Sequence, residues 1–167
     1  ITKEMLEEKD AYLHPSVYKD DKALNALADQ MNKLTGVTLT YKFGDETEKV
    51  TGDMIAEWLK AGDDNQVVID SDKAREYVNT LARRYDTFNT AGTREFKTSY
   101  GTTINVTGGD YGWWMNRGDT TNELTAAIEA GEDRELKPVY YQTAASYSDY
   151  DYGDTYVEIN MTAQHLF

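Results

Sequence analysis

Residues 108–116 read GGDYGWWMN, and the two adjacent tryptophans constrain whatever packs around them. Three glycines (Gly108, Gly109, Gly112) surround Tyr111, Trp113 and Trp114 in a chain that is otherwise acidic and polar. Neighbouring residues on a strand point to opposite faces. One tryptophan can therefore enter a core, and the other must find a second surface, a ligand or a neighbouring domain. Glycine permits positive φ and close approach of another chain, while Trp and Tyr rings stack on sugars or cover a domain junction. Two readings stay open: Tyr111 and one Trp as core anchors over a tight turn, or Tyr111, Trp113 and Trp114 as a ligand-contact set.

Working outward, Phe96, Ser99 and Thr102 to Val106 predict a hairpin around Tyr100-Gly101 on the N-terminal side. On the C-terminal side, Thr120 and Glu123 have capping-box spacing. Leu124, Ala127 and Ile128 supply the stripe of a helix that ends near Gly131. Further upstream, Leu24, Leu27, Ala28, Met31 and Leu34 recur at helical spacing, with Gly36 just past the end. Val37, Leu39, Tyr41 and Phe43 alternate with polar residues as a half-buried strand that stops at Gly44-Asp45. Residues 52–61 read as a short helix capped by Thr51, 66–70 as a short strand, and Ser71 to about Arg84 as a helix with Ala74, Tyr77, Val78 and Leu81 on one face. Residues 3–9 are a charged, helical lead-in broken by His14-Pro15.

Helices and short strands interleave without a regular β-α-β period, which gives an α+β class. The expected architecture is a compact mixed domain with several helices packed on a small sheet, then an extended connector and a terminal strand. The boundaries fall at 1–15 for the lead-in, 16–132 for the compact domain and 133–167 for the connector and strand. After Pro138 the chain fills with Tyr, Ser and Asp, and it closes on the alternating segment Tyr156 to Met161.

Forty per cent hydrophobic residues suffice for a real core. The net charge of −13 argues against nucleic acid, which requires a basic footprint, and against adsorption to anionic lipid. No cysteine is present, so disulfides, thiolate metal sites and a cysteine nucleophile within this chain are excluded. The opening on Ile1 and the lack of a signal-like or membrane-spanning run lead to the expectation of a piece of a longer protein whose anchor lies upstream. The two histidines, His14 and His165, lie at opposite ends and outside any metal-ligand pattern, so no catalytic residue, metal or cofactor is assigned. The SDYDYGD stretch around Asp149, Asp151 and Asp154 lacks the ordered ligand series and closing glutamate of a calcium loop. Asp63-Asp64 is a further acidic pair. The tyrosines of the connector (Tyr140, Tyr141, Tyr147, Tyr150, Tyr152) fit either a glycan grip or a covered domain junction.

Several segments carry a family resemblance in their order: TYKFGD (40–45), IAEWL (55–59), VVID (67–70), LARRYDT (81–87), REFKTSYG (94–101), GGDYGWWMN (108–116) and NEL (122–124). Over about residues 16–132 the chain resembles the peptidoglycan-binding domain that precedes the catalytic domain in L,D-transpeptidases of Gram-positive bacteria. Its closing residues, GDTYVEINMTAQHLF, resemble the connector and first strand of that catalytic domain. The family's catalytic cysteine and histidine belong further along, and His165 does not match the latter.

The resemblance implies an extracellular module at the cell surface or wall, tethered by an upstream membrane anchor. Its parent would make 3→3 peptidoglycan cross-links through a cysteine acyl-enzyme that resists most penicillins. The implied partners are a weakly held peptidoglycan glycan or stem peptide and the parent's own catalytic domain, with no nucleic acid and no membrane contact. An acidic domain is repelled by the carboxylates and phosphates of the wall except at local complementary patches. A recognition module and a rigid spacer that positions the catalytic domain therefore both stand. Exposure of Trp114 separates them.

Overall fold

Leu39, Tyr41 and Phe43 of β1 (Leu39–Phe43) are fully buried while Lys42 is exposed, the period-two pattern of a strand with one face in the core. In the computed structural model, which describes residues 2–8, 18–62, 66–89, 93–148 and 150–167, β1 is the centre of a three-stranded sheet. It pairs antiparallel with β2 (Glu46–Val50) across the two-residue turn Gly44-Asp45. On its other side it pairs in parallel with a strand at Arg134–Leu136, β8 below. His14-Pro15, Asp63-Asp64 and Asp149 lie outside the described residues, and the lead-in is described as the helix α1 (Lys3–Glu8).

Four further helices surround this sheet. α2 (Lys22–Thr35) starts at Asp21, whose carboxylate accepts from the backbone N–H groups of Ala23 and Leu24. α3 (Gly52–Trp58) buries Ile55 and Trp58. The expected helix over 52–61 ends three residues early, because Leu59–Ala61 leave as β3 to pair antiparallel with β4 (Val67–Ile69). α4 (Ser71–Tyr85) is capped by Asp70 and buries Ala74, Val78, Leu81 and Ala82 against α5 (Arg117–Ala130). α5 contributes Leu124, Ala127 and Ile128 to the same core. Its cap is Asn116, not the expected Thr120: Asn116 accepts from the Asp119 N–H and donates to the Asp119 carboxylate, whereas Thr120 is buried inside the helix. Gly131 ends the helix in the left-handed region, at φ 70°.

Between α4 and α5 lies the expected hairpin, β5 (Thr93–Lys97) with β6 (Thr103–Thr107), followed by β7 (Trp114–Met115). The chain past Gly131 does not run free at once. It returns as β8 (Arg134–Leu136) to complete the central sheet and buries Leu136, then as β9 (Tyr140–Gln142) to pair with β7. The expected terminal strand is a short hairpin, β10 (Ile159–Asn160) with β11 (His165–Leu166). The stripe that identifies α2 is largely solvent-facing. Leu24 and Met31 are exposed, and only Leu34 and Leu27 are partly covered.

Leu136 is 5 % exposed and is the one side chain by which β8 enters the core. Leu136→Ala is expected to lower unfolding free energy by about 2–4 kcal/mol, from lost burial plus the cavity left. Urea denaturation followed by circular dichroism measures it, and a loss under about 0.5 kcal/mol would mean that β8 is not an integral strand.

Candidate functional site

Gly112 has φ 138° and is buried, and a Cβ there would stand 2.6 Å from the Thr87 carbonyl carbon, the Phe88 nitrogen and Arg94 Nη2. The glycine lets the two backbones touch. Across this approach Trp113 N donates to Thr87 Oγ1 at 2.9 Å, and the Trp113 carbonyl accepts from Thr87 N at 2.9 Å and Phe88 N at 3.0 Å. Two residues on, Met115 N donates to Asp86 Oδ1 at 2.8 Å. Residues 86–88 and 113–115 are thereby locked side by side.

The two tryptophans leave this lock in different directions. The Trp113 indole is half-buried: its Nε1 donates to the Ser146 carbonyl at 2.7 Å, and its ring stacks on Tyr147 with centroids 3.9 Å apart and planes 4° from parallel. Tyr140 packs on it at 5.1 Å. Trp114 points out, 42 % exposed, stacked on Phe88 at 4.5 Å and 9° and touched by Tyr141 at 4.8 Å. Tyr141 is itself 62 % exposed, so Phe88, Trp114 and Tyr141 form an aromatic ribbon open to solvent.

Tyr111 serves the protein's own chain. Its hydroxyl donates to the Asp151 carbonyl at 3.2 Å and accepts from Ala145 N at 2.9 Å, and the Arg94 guanidinium lies 5.8 Å from its ring centroid. Asp151, from the stretch with a calcium-loop look, is turned inward. Its Oδ2 accepts from Thr87 Oγ1 at 2.6 Å and pairs with Arg94 Nη2 at 3.0 Å, with only 5 % of the side chain exposed. Arg94 also donates to the carbonyls of Thr87 and Tyr111, at 2.6 and 2.7 Å. Hydrogen bonds on both partners support this pair, although Asp151 Oδ1 is buried without a hydrogen-bond partner, so the compensation of the buried charge is incomplete.

Beside the ribbon opens a cleft of about 370 Å³ lined by Ala82, Arg83, Asp86, Phe88, Asn89, Trp114 and Arg117. Arg117 Nη2 is 3.6 Å from Asp86 Oδ2, and Arg83 meets Glu76 at 3.3 Å on the open surface. Burial raises the Asp86 carboxyl above its ordinary range, opposed by its bond from Met115 N and by Arg117. A larger cleft, about 500 Å³, lies between the Gly44-Asp45 turn and the connector, walled by Phe43, Tyr85 and Tyr147. Its one glutamate, Glu46, already has a partner: the Tyr85 hydroxyl lies 2.8 Å from Glu46 Oε2 and 2.9 Å from Oε1 of Glu48, outside the lining, with which Arg84 also pairs. His165 sits exposed on β11, far along the chain from either cleft. Among the described residues no group of three or more acidic, histidine or cysteine side chains is placed to hold a metal ion. No helix among them is long and apolar enough to cross a membrane.

The sequence matches, over residues 19–137, the family described as "putative peptidoglycan binding domain". The chain belongs to this peptidoglycan-binding family. The match takes in the lock, the ribbon residues Phe88 and Trp114 and both arginines of the cleft. Among solved structures the family member is similar to the Ldtfm–avibactam carbamoyl enzyme, with 28 % identity and a TM-score of 0.63 over 81 % of this chain and 52 % of that one. It is likewise similar to a Cys→Ser mutant of the Enterococcus faecium L,D-transpeptidase, with 28 % identity and a TM-score of 0.60 over 83 % and 54 % of the two chains. The chain thus spans about half the length of the solved structures it matches. A comparison with curated proteins gives no match.

Tyr111, Trp113 and Trp114 do come together around one backbone lock, but they face different surroundings. Arg83, Phe88 and Arg117 escaped the sequence reading as site residues. Only the position of Phe88 directly after LARRYDT hinted at its place. Gly112→Ala is expected to cost about 3 kcal/mol or more, since positive φ and a clash with backbone act together. Thermal and urea melts test it, and a wild-type melt would mean that the two segments do not touch.

Proposed function

We propose that this member of the peptidoglycan-binding family is a non-catalytic cell-wall recognition module of an L,D-transpeptidase that makes 3→3 peptidoglycan cross-links. In this reading it works outside a Gram-positive membrane, tethered upstream, with its catalytic domain following the connector. The observation that carries the proposal is the outward Trp114 in the Phe88–Trp114–Tyr141 ribbon. An indole left 42 % exposed beside a cleft is a stacking surface for a sugar ring or an apolar side chain. Family membership and the likeness to L,D-transpeptidase structures support the cell-wall setting. Tyr111 and Trp113 belong to the support of the site, because their polar atoms are engaged by Asp151, Ala145 and Ser146.

A second reading, a spacer that positions the catalytic domain, is favoured by the seating of the connector on Trp113 and Tyr111. It concerns a different face of the same lock and is compatible with the first.

Co-sedimentation with purified Gram-positive sacculi tests recognition. Saturable pelleting is expected, weakened about three- to tenfold in Trp114→Ala, the loss of one aromatic contact. Circular dichroism should show the variant folded, since Trp114 is 42 % exposed and lies outside the buried core. Absence of wild-type pelleting at high protein concentration would leave the spacer reading alone.

A further inference from the structure

We infer that the cleft between Arg83, Arg117 and Trp114 takes the free terminal carboxylate of a peptidoglycan stem peptide, with the adjoining aliphatic side chain laid against the Phe88–Trp114 ribbon. The inference rests on the wall-recognition reading and specifies its ligand.

The charge balance leads to it. The chain carries −13 overall, yet this cleft is lined by two arginines and one carboxylate, Asp86. Neither guanidinium is consumed by its partner. Arg117 stands 3.6 Å from Asp86, longer than a direct charge-assisted hydrogen bond, and 44 % of its side chain is exposed. Arg83 meets Glu76 at 3.3 Å with both side chains more than 60 % exposed, a pairing of little net worth. Asp86 is engaged from behind by Met115 N and is nine-tenths covered. The planar donors of Arg83 and Arg117 line one cleft with an apolar aromatic wall. A guanidinium suits carboxylate by its paired donors, and the ribbon suits an aliphatic group on the next carbon.

The same balance selects against the other anion of such walls. A poly(alcohol phosphate) repeats its charge along its length, and its charges beyond the cleft are repelled by a chain of net charge −13, an effect that reaches over a Debye length of about 8 Å. A peptide end brings one carboxylate, and the cleft's single excess positive charge matches it.

The test titrates the full 167-residue chain with a synthetic stem tetrapeptide as free acid, with its C-terminal amide, and with poly(glycerol phosphate). The readout is the Trp114 indole N–H resonance, at about 0.15 M salt. The free acid is expected to bind about tenfold more tightly than the amide, the worth of one charge-assisted contact. Arg83→Gln and Arg117→Gln should each erase most of that difference, by weakening the free acid much more than the amide. Asp86→Asn, which keeps an acceptor for Met115 N, should tighten the free acid.

Arg83 is an exposed residue, so its variant folds and keeps the test decisive if Arg117→Gln is unstable. Equal binding of acid and amide, or binding of the phosphate polymer in place of the peptide, overturns the inference. Sacculus pelleting separates the two levels. If it is Trp114-dependent but indifferent to Arg83→Gln, recognition stands and the carboxylate assignment falls; if wild-type protein neither pellets nor binds peptide, both fall.

Discussion

The rest of the molecule is arranged around the contact of two backbones at Gly112. With no side chain there, residues 113–115 settle against residues 86–88 and exchange four hydrogen bonds with them, counting the side chains of Thr87 and Asp86. That contact sets which way each following residue faces. Trp113 turns to the connector, Trp114 to solvent, Met115 to the core, and Asn116 arrives where it can cap α5. α5 then packs on α4, whose C-terminus leads directly into residues 86–88. The loop, the two helices and the aromatic ribbon form one closed circuit.

Local pattern made much of this legible. α4 and α5 announce themselves by apolar spacing and by Gly131, and β1 by strict alternation. That the two tryptophans would face differently was expected from the alternation of neighbouring residues, though which one faces solvent is set by the contact at Gly112. What stayed hidden depended on distant pairing. β2 (ETEKV) is almost wholly polar and becomes a strand because β1 lies beside it; β8 (REL) has a single buried side chain and joins in parallel from ninety residues away. Within 52–61 the helical stripe is real, yet pairing with β4 claims its last three residues. α2 shows the converse, since its periodic stripe is plain in the sequence and mostly uncovered in the fold. The cleft was invisible for a related reason. Arg83, Phe88, Trp114 and Arg117 come from a helix end, a turn, a strand and a helix start, and the packing of α4 on α5 together with the lock brings them into one cleft.

Electrostatics gives the arrangement its direction. A chain of net charge −13 repels anionic polymers except at local complementary patches, so any recognition of one has to be local. The arginines serve two separate jobs here. Arg94 is spent inside, on Asp151 and two carbonyls, where it holds the connector to the hairpin. Arg83 and Arg117 stay outside with weak partners. Burial and exposure, more than residue type, divide structure from binding.

Residues 86–88 join those two roles. Asp86 holds Met115 and faces the cleft; Thr87 bonds Trp113 on one side and Asp151 of the connector on the other; Phe88 stacks beneath Trp114. A ligand pressing on Phe88 or Trp114 therefore bears on a three-residue segment whose other contacts run straight to the connector. Asp151 answers to the same segment, and its carbonyl receives Tyr111 and Ala145. On the proposed reading, a ligand held at the ribbon and the seating of residues 145–151 bear on the same three-residue segment.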